Sequence, residues 1–165
     1  MTSSDTQQGP IASRVQRILD RQDPQLIAEM PAGYAIIGKY QPDPINGCCM
    51  LLPRLLPDGS VPSSPNDLDD AHRGQFFSDL VLLGDAIMQV TGSERINYLV
   101  LCNQVPELHG HCVPRFSSED PELRLKGPFE AYDFGSSRVA DAHGQDQRLH
   151  EQLRAALNKL LAQRT

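Results

Sequence analysis

Two pairs of strand-like segments flank one long helical segment, and this order limits the folds open to the chain. The segments GYAIIGKY (33–40) and CCMLLPR (48–54) are joined by the turn-rich QPDPING (41–47). The segments INYLVLC (96–102) and 107–115 are joined by the short turn NQVP. Strands that are joined by short turns pair antiparallel. The sequence therefore predicts an α+β protein with an antiparallel sheet.

Helical patterns occur before, between and after these strand pairs. Apolar residues at helical spacing predict a first helix over 11–20 and a second, short helix over 26–30. The tetrapeptide SPND (64–67) resembles a capping box ahead of the long helix, which Gly92 is expected to end. A final amphipathic helix is expected over 149–160.

Composition and charge limit the domain count and the classes of partner. The 165 residues fit one domain, which we place over 11–165 after a flexible polar tail over 1–10. A net charge of −6 with no basic stripe argues against nucleic-acid binding. The four cysteines form no C-x-x-C pair, which argues against a zinc ribbon or a thioredoxin motif. No signal peptide and no apolar run of about 18 residues is present, so we expect a cytoplasmic protein without a membrane partner.

Ionisable side chains alternate along the last predicted strand. A strand puts every second side chain on one face, which here would carry Glu107, His109, His111, Val113 and Arg115. Burying four ionisable groups on one face is costly. This face is therefore expected to meet water, a ligand or other charged groups of the protein.

Three interpretations of the His-x-His strand are open. The histidines could be partly exposed residues without a role. They could bind a metal with Glu107, as a set of two histidines and one carboxylate, although the other histidines offer no further ligand at a fixed short spacing. They could also act on a phosphate, because a neutral imidazole is a nucleophile and a second imidazole can hydrogen-bond the phosphate oxygens.

The segment ELHGHCVPRF resembles the signature of the histidine triad (HIT) superfamily. In that signature three alternating histidines are followed by two apolar residues and commonly by Pro-Arg. His109 falls on the middle histidine, the family's nucleophile, His111 falls on the last, and Glu107 stands at the first. The segments GCCMLLPR and INYLVLCNQVPELHGH also match in order, so the similarity covers about residues 33–116. The pattern most resembles a bacterial HIT-like branch that lacks the first triad histidine.

The resemblance implies a fold and a reaction. The fold is an antiparallel five-stranded sheet with helices packed on one side, usually in a homodimer. The reaction is hydrolysis or nucleotidyl transfer on a nucleoside phosphate, of the phosphoramidate or dinucleoside polyphosphate class, through a nucleotide held covalently on His109. The other ring nitrogen of His109 would donate to the backbone carbonyl of residue 107. His111 would steady the phosphate, and Glu107 is expected to tune the charge of the site.

The resemblance also implies the residues that contact the nucleotide. Asn103 and Gln104 replace the amide donors of a Gly-rich turn. Tyr40 and Gln41 align near the ribose, and Cys48 stands where many relatives have another histidine.

Charge balance raises a question about Glu107. Its carboxylate would repel a phosphate, so it could be protonated, pair with a cation, or act with His111 as a catalytic proton-carrying unit toward the leaving group. We favour pairing with Arg115 or Arg54, and an arginine near the phosphate would also help to bind it. No metal is required to make the nucleophile, although Mg²⁺ could accompany a polyphosphate. The alternatives are a nucleotide-binding protein without turnover and, less favoured, a metal-dependent hydrolase.

Overall fold

Five antiparallel strands form the central sheet of the protein. The computed structural model describes residues 8–164. The strands of the sheet are β1 (Leu26–Met30), β2 (Gly33–Ile37), β4 (Cys49–Pro53), β5 (Arg95–Leu99) and β6 (Gly110–Arg115). They lie in the order β1-β2-β4-β6-β5, and each neighbouring pair is antiparallel. The antiparallel five-stranded sheet implied by the resemblance is therefore confirmed.

Two long helices cover one face of this sheet. They are α2 (Asp70–Thr91) and α5 (Gln147–Gln163). Alternate residues of β2 and β4, such as Ala35 and Leu51, pack in one buried cluster with Leu80 and Leu153 of these helices. The packing of the long helices on one side agrees with the expected fold.

A short helix covers the opposite face. It is α1 (Pro10–Leu19), and its buried residues Ile11 and Val15 cluster with Ile36 and Leu52. These two strand residues are the neighbours of the ones that face the long helices, as the two-residue period of a strand requires. The expected tail over 1–10 lies largely outside the described residues, and the last residue of that range, Pro10, is already helical.

The prediction of a helix over 26–30 is wrong, because this segment is the edge strand β1. Ala28, Glu29 and Met30 pair with residues of β2. An apolar run this short fits a strand as well as one turn of a helix, and its pairing with β2 decides between them.

The long helix begins later than expected. Ser64 and Asp67 do form a capping box, but it closes a separate short 3-10 helix, Pro65–Asp67. The helix α2 starts after Asp69, whose side chain accepts a hydrogen bond from the backbone N–H of His72. Gly92 ends it in the left-handed conformation, with φ of 70°.

The chain between β6 and α5 contains several short elements. They are α3 (Pro121–Arg124), α4 (Pro128–Ala131), a 3-10 helix (Phe134–Ser136) and β7 (Arg138–Val139). The strand β7 pairs with β3 (Tyr40–Gln41), which lies in the connection between β2 and β4. This small second sheet brings the connection and the late segment together on one side of the molecule. No helix within residues 8–164 is long and apolar enough to cross a membrane.

Candidate functional site

Two histidines form a pair at the start of β6. The rings of His109 and His111 meet edge to face, with their centroids 5.1 Å apart. The Nδ1 atom of His109 lies 2.7 Å from the backbone carbonyl oxygen of Glu107. A carbonyl oxygen can only accept, so Nδ1 donates, and in the neutral imidazole the lone pair is then on Nε2. This contact is the one that the resemblance implies.

A tight turn places the first histidine. The backbone N–H of Glu107 donates to the carbonyl of Val105 at 2.8 Å, which closes a three-residue turn around Pro106. The backbone N–H of Leu108 donates to the carbonyl of Pro62 at 2.7 Å. The strand therefore begins only at Gly110, and the prediction of a strand from 107 extended it too far.

The side chain of Glu107 points at α1 and does not line the cavity beside the histidines. Its two carboxylate oxygens accept from the backbone N–H groups of Ile11 and Ala12, each at 3.0 Å. The expected ion pair of Glu107 with Arg115 or Arg54 is wrong, because those arginines bind other carboxylates. The negative charge of Glu107 is balanced by backbone amides at the start of a helix.

A cavity of about 870 Å³ opens beside the histidine pair. Six of the residues predicted for the site line it: His109, His111, Tyr40, Cys48, Asn103 and Gln104. They come from the connection after β2, from the start of β4, from the turn before β6 and from β6 itself. The sheet and its connections thus gather residues that are far apart in the sequence around one space.

Three aromatic residues that the sequence interpretation missed form a wall of the same cavity. They are Phe129, Tyr132 and Phe134. The ring of Phe129 meets the ring of His111 at 5.4 Å and the ring of Phe134 at 4.7 Å, both edge to face. The chain has five phenylalanines, four tyrosines and no tryptophan, so their concentration in FEAYDF (129–134) was the signal that could have found them.

The cavity holds few charges, and the histidine next to the wall is neutral. Burial, and next the neighbouring His109, lower the pKa of His111 to about 4. Lys39, Glu130 and Asp133 are the charged side chains among the described residues that line the cavity. The thiol of Cys48 is also neutral, since burial raises its pKa to about 12. At neutral pH the site therefore offers hydrogen bonds to a ligand more than positive charge.

Backbone donors lie at the mouth of the cavity. The chain turns at Cys102, a non-glycine residue with φ of 52°, and the exposed Asn103 and Gln104 follow. Within residues 8–164 the backbone N–H groups of Asn103 and Gln104 have no hydrogen-bond acceptor. They are suitable donors for an anionic ligand.

Two predicted binding residues do not reach the cavity. Gln41 is fully buried. Its side-chain amide donates to the backbone carbonyls of Gly38 and Cys48 and accepts from the backbone N–H groups of Gly47 and Cys48, which holds the connection after β2 together. Arg115 is also buried and binds Glu119, Asn97 and the carbonyls of Leu123 and Lys126. Both predictions of a substrate contact are therefore wrong, because these side chains are buried and make their hydrogen bonds within the protein.

The donor set considered for a metal is not assembled. The carboxylate of Glu107 binds α1 and lies apart from the histidine pair. Across residues 8–164, no group of three or more His, Cys, Asp or Glu side chains is placed to hold a metal ion.

Solved structures share this architecture, although no protein-family model and no curated protein matches the chain. A histidine triad protein from Bradyrhizobium japonicum has 22% sequence identity and a TM-score of 0.62, over 80% of this chain and 89% of that chain. A histidine triad protein from Marinobacter aquaeolei VT8 has 20% identity and a TM-score of 0.60, over 84% and 88%.

A third solved structure is similar over a larger share of the chain. It is a hypothetical histidine triad nucleotide-binding protein from Sulfolobus tokodaii strain 7, with 16% identity and a TM-score of 0.63, over 89% of this chain and 93% of that chain. The order of the strands and the helices on the sheet agree with these similarities. The chain has the fold of the histidine triad proteins.

Proposed function

We propose that the protein is a nucleotide hydrolase or nucleotidyl transferase that uses His109 as its nucleophile. The observation that carries this proposal is the hydrogen bond from Nδ1 of His109 to the carbonyl of Glu107, which leaves a lone pair on Nε2. His109 lines a cavity large enough for a nucleotide. The nucleotide-binding description of the Sulfolobus neighbour supports the ligand class.

The positions of the side chains support the following reaction. Nε2 of His109 attacks the α-phosphorus, and the bond from phosphorus to the leaving group breaks as the N–P bond forms. Neutral His111 and the backbone N–H groups of Asn103 and Gln104 donate to the phosphate oxygens, where charge develops. Water or another acceptor then displaces the nucleotide from His109. The aromatic wall of Phe129, Tyr132 and Phe134 is suited to stacking on the base.

The covalent intermediate is the product to detect. The protein is mixed with adenosine 5′-phosphoramidate or diadenosine tetraphosphate, quenched without acid, digested and examined by mass spectrometry. We expect an acid-labile adenylate on the peptide that contains His109. The absence of any adduct, together with the absence of turnover across a panel of nucleotides, would refute the proposal.

Removal of the nucleophile is the matched genetic test. We expect His109→Ala to lower turnover by at least about a thousandfold, the scale seen when a covalent nucleophile is lost. His143→Ala is the control, because that histidine is exposed and its side chain is remote from the cavity lining. Steady-state rates for both variants measure the effect, and unchanged turnover in His109→Ala would exclude this mechanism.

The same assays separate the alternative functions. Turnover of the phosphoramidate in EDTA supports a histidine nucleophile, whereas its loss favours a metal-dependent hydrolase. The polyphosphate is tested separately, because EDTA also removes any Mg²⁺ bound to that substrate. Calorimetric binding of AMP without turnover of any substrate would indicate a nucleotide-binding protein that does not catalyse.

We also propose that the protein forms a homodimer through α2 and β5. Phe77, Val81 and Met88 lie along one stripe of α2 and are 40%, 47% and 37% exposed. Tyr98 of β5, also 40% exposed, packs against Gly84 in the same stripe. Since β5 ends the strand order, its outer edge pairs with no strand among the described residues. A second copy related by a two-fold axis could cover both features.

A further inference from the structure

The first turn of α1 is capped by a residue from the distant turn before β6. The position that usually provides a side-chain cap is Gly9, which has none. Pro10 has no N–H group, and the N–H of Ser13 donates to the carbonyl of Gly9. The N–H groups of Ile11 and Ala12 remain, and the two oxygens of Glu107 accept one each. One carboxylate therefore satisfies both of these donors.

Gly9 is required for this arrangement. A Cβ atom at Gly9 would overlap the carboxylate of Glu107. The φ of Gly9 is −66°, which any residue adopts, so the backbone conformation does not require glycine here. The absence of a side chain instead makes room for the carboxylate of Glu107. The glycine and the glutamate together form the contact.

Glu107 also holds the proposed nucleophile, through its backbone. Its carbonyl oxygen accepts from Nδ1 of His109, while its side chain is fixed to α1. The helix is held in turn on the sheet by a buried cluster that includes Ile11, Val15 and Ile36. A continuous set of contacts thus runs from the sheet through α1 and Glu107 to the ring of His109.

The turn that carries Glu107 is anchored by two apolar residues: Val105 packs against the cluster around α1, and Leu108 is fully buried in the core. Asn103, Gln104 and Pro106 are exposed. At the end of the turn, the backbone N–H of Glu107 donates to the carbonyl of Val105, and the backbone N–H of Leu108 donates to the carbonyl of Pro62. The side chain of Glu107 adds a third anchor between Val105 and Leu108, and this anchor further restrains the carbonyl on which the tautomer of His109 depends.

We propose that Glu107 is a positioning residue, which transmits the docking of α1 to the tautomer and orientation of His109. The effect of Glu107 on turnover rests on the proposed function, whereas its effect on the tautomer of His109 is independent of that function. Loss of the carboxylate removes one of the three anchors of the turn, so that the carbonyl of residue 107 no longer holds Nδ1–H all of the time. His109 then populates the other tautomer, in which Nε2 carries the proton and cannot attack phosphorus.

The test reads the tautomer and the rate in the same variants. In ¹⁵N-histidine NMR at pH 8, the wild-type protein should show His109 with its proton on Nδ1, and Glu107→Ala should show a mixture of tautomers. Turnover of adenosine 5′-phosphoramidate should fall by about tenfold or more in kcat, as expected from a misplaced catalytic group, with KM changed by less than about threefold. The charge control is Glu122→Ala, which removes an exposed carboxylate on α3 and should change neither quantity.

A second variant separates positioning from helix capping. The double variant Gly9→Ser/Glu107→Ala supplies a local side-chain cap in the space that the carboxylate leaves. We expect its melting temperature to return toward that of the wild type, while the mixed tautomer and the low kcat remain. Recovery of the wild-type tautomer and kcat would overturn the proposal, because capping alone would then explain the role of Glu107.

The outcomes also distinguish this inference from the proposed function. If the wild-type protein turns over no nucleotide, the reaction is refuted, yet the tautomer in the Glu107 variants still decides the inference. A pure Nδ1–H tautomer in Glu107→Ala would overturn it whether or not the protein is active.

Discussion

The two histidines of the site are held by different groups, and this difference sets their roles. His109 is oriented through its Nδ1 by a backbone carbonyl. His111 lies between the rings of His109 and Phe129, and its pKa is lowered to about 4. A neutral imidazole can donate one hydrogen bond to a phosphate oxygen but adds no charge. For the proposed reaction, the site therefore supplies hydrogen-bond donors more than electrostatic attraction for the phosphate.

The lowered pKa of His111 predicts a loss of stability in mild acid. The unfolded chain takes up a proton at this histidine near pH 6.5, whereas the folded chain does so only near pH 4. Stability from this group is therefore present above about pH 6.5 and is lost as the pH falls to about 4, by about 2–3 kcal/mol.

Urea unfolding at several pH values measures this effect. His111→Gln should flatten the decline between pH 6.5 and pH 4 relative to the wild type, because glutamine does not titrate. The comparison of slopes cancels the contribution of the carboxylates, which both proteins retain. Parallel curves for the two proteins would show that burial of His111 has no such cost.

At the scale of elements, β6 supports both the reactive side chains and the wall of the cavity. His111 lies near its start and Arg115 at its end. Glu119, which binds Arg115, also accepts from the hydroxyl of Tyr132 at 2.6 Å. Burial raises the pKa of Glu119, but hydrogen bonds from Arg115, Tyr132 and the Phe116 backbone outweigh it, so the pKa lies below its usual value. The ion pair thus ties the segment after β6 to the sheet.

Breaking this buried ion pair should be costly. We expect Glu119→Gln to reduce the free energy of unfolding by about 3 kcal/mol, because Arg115 is left buried without its counter-charge. The matched change at an exposed pair is Glu29→Gln, which removes the partner of Arg54 and should cost less than about 1 kcal/mol. Urea unfolding at pH 7 compares the two variants. Equal losses of unfolding free energy would show that burial does not make the pair of Arg115 and Glu119 more important for stability than the exposed pair.

At the scale of the whole molecule, the surface of α2 matters most. One apolar stripe of this helix, which includes Phe76, Leu80 and Leu83, is buried in the core, while Phe77 and Val81 beside it stay exposed. A helix of a monomer normally presents charged and polar residues on that side. The second stripe is the feature that supports a dimer.

Sedimentation tests the dimer. The wild-type protein should sediment at micromolar concentration as about twice its 18.3 kDa. Val81→Glu should shift it to the monomer, because the proposed two-fold contact would bring two carboxylates together in an apolar interface. Leu19→Glu changes a residue of similar exposure, 48% against 47%, on a different helix and should leave the mass unchanged. A wild-type monomer would refute the dimer.

The sequence predicted those parts of the molecule whose signals are local. The histidine pair stands within three residues, and the strands β2, β4, β5 and β6 have strong apolar character between clear turns. The short strand β1 was mistaken for a helix, because only its pairing with β2 distinguishes the two. Local patterns therefore sufficed for four of the five strands of the sheet and for the histidine pair.

The remaining parts depend on contacts between distant segments. The partner of Glu107 lies 96 positions away in α1, and no spacing rule points to it. The aromatic wall lies in a segment without periodicity, and the ion pair of Arg115 that anchors this segment removes Arg115 from the site. A motif read in isolation identified the residues but assigned Glu107, Gln41 and Arg115 to contacts that the folded chain does not make.

The separation of the histidines on the sheet from the wall in the segment after β6 has an evolutionary consequence. Residues 128–135 form short elements outside β6, and connecting segments generally accept substitutions more readily than the strands that they join. On the proposed function, mutations there would change which nucleotides are accepted while the chemistry of the histidines is retained. Descendants of such a gene can diversify in specificity by drift in one surface segment, provided that Arg115 and Glu119 continue to hold that segment in place.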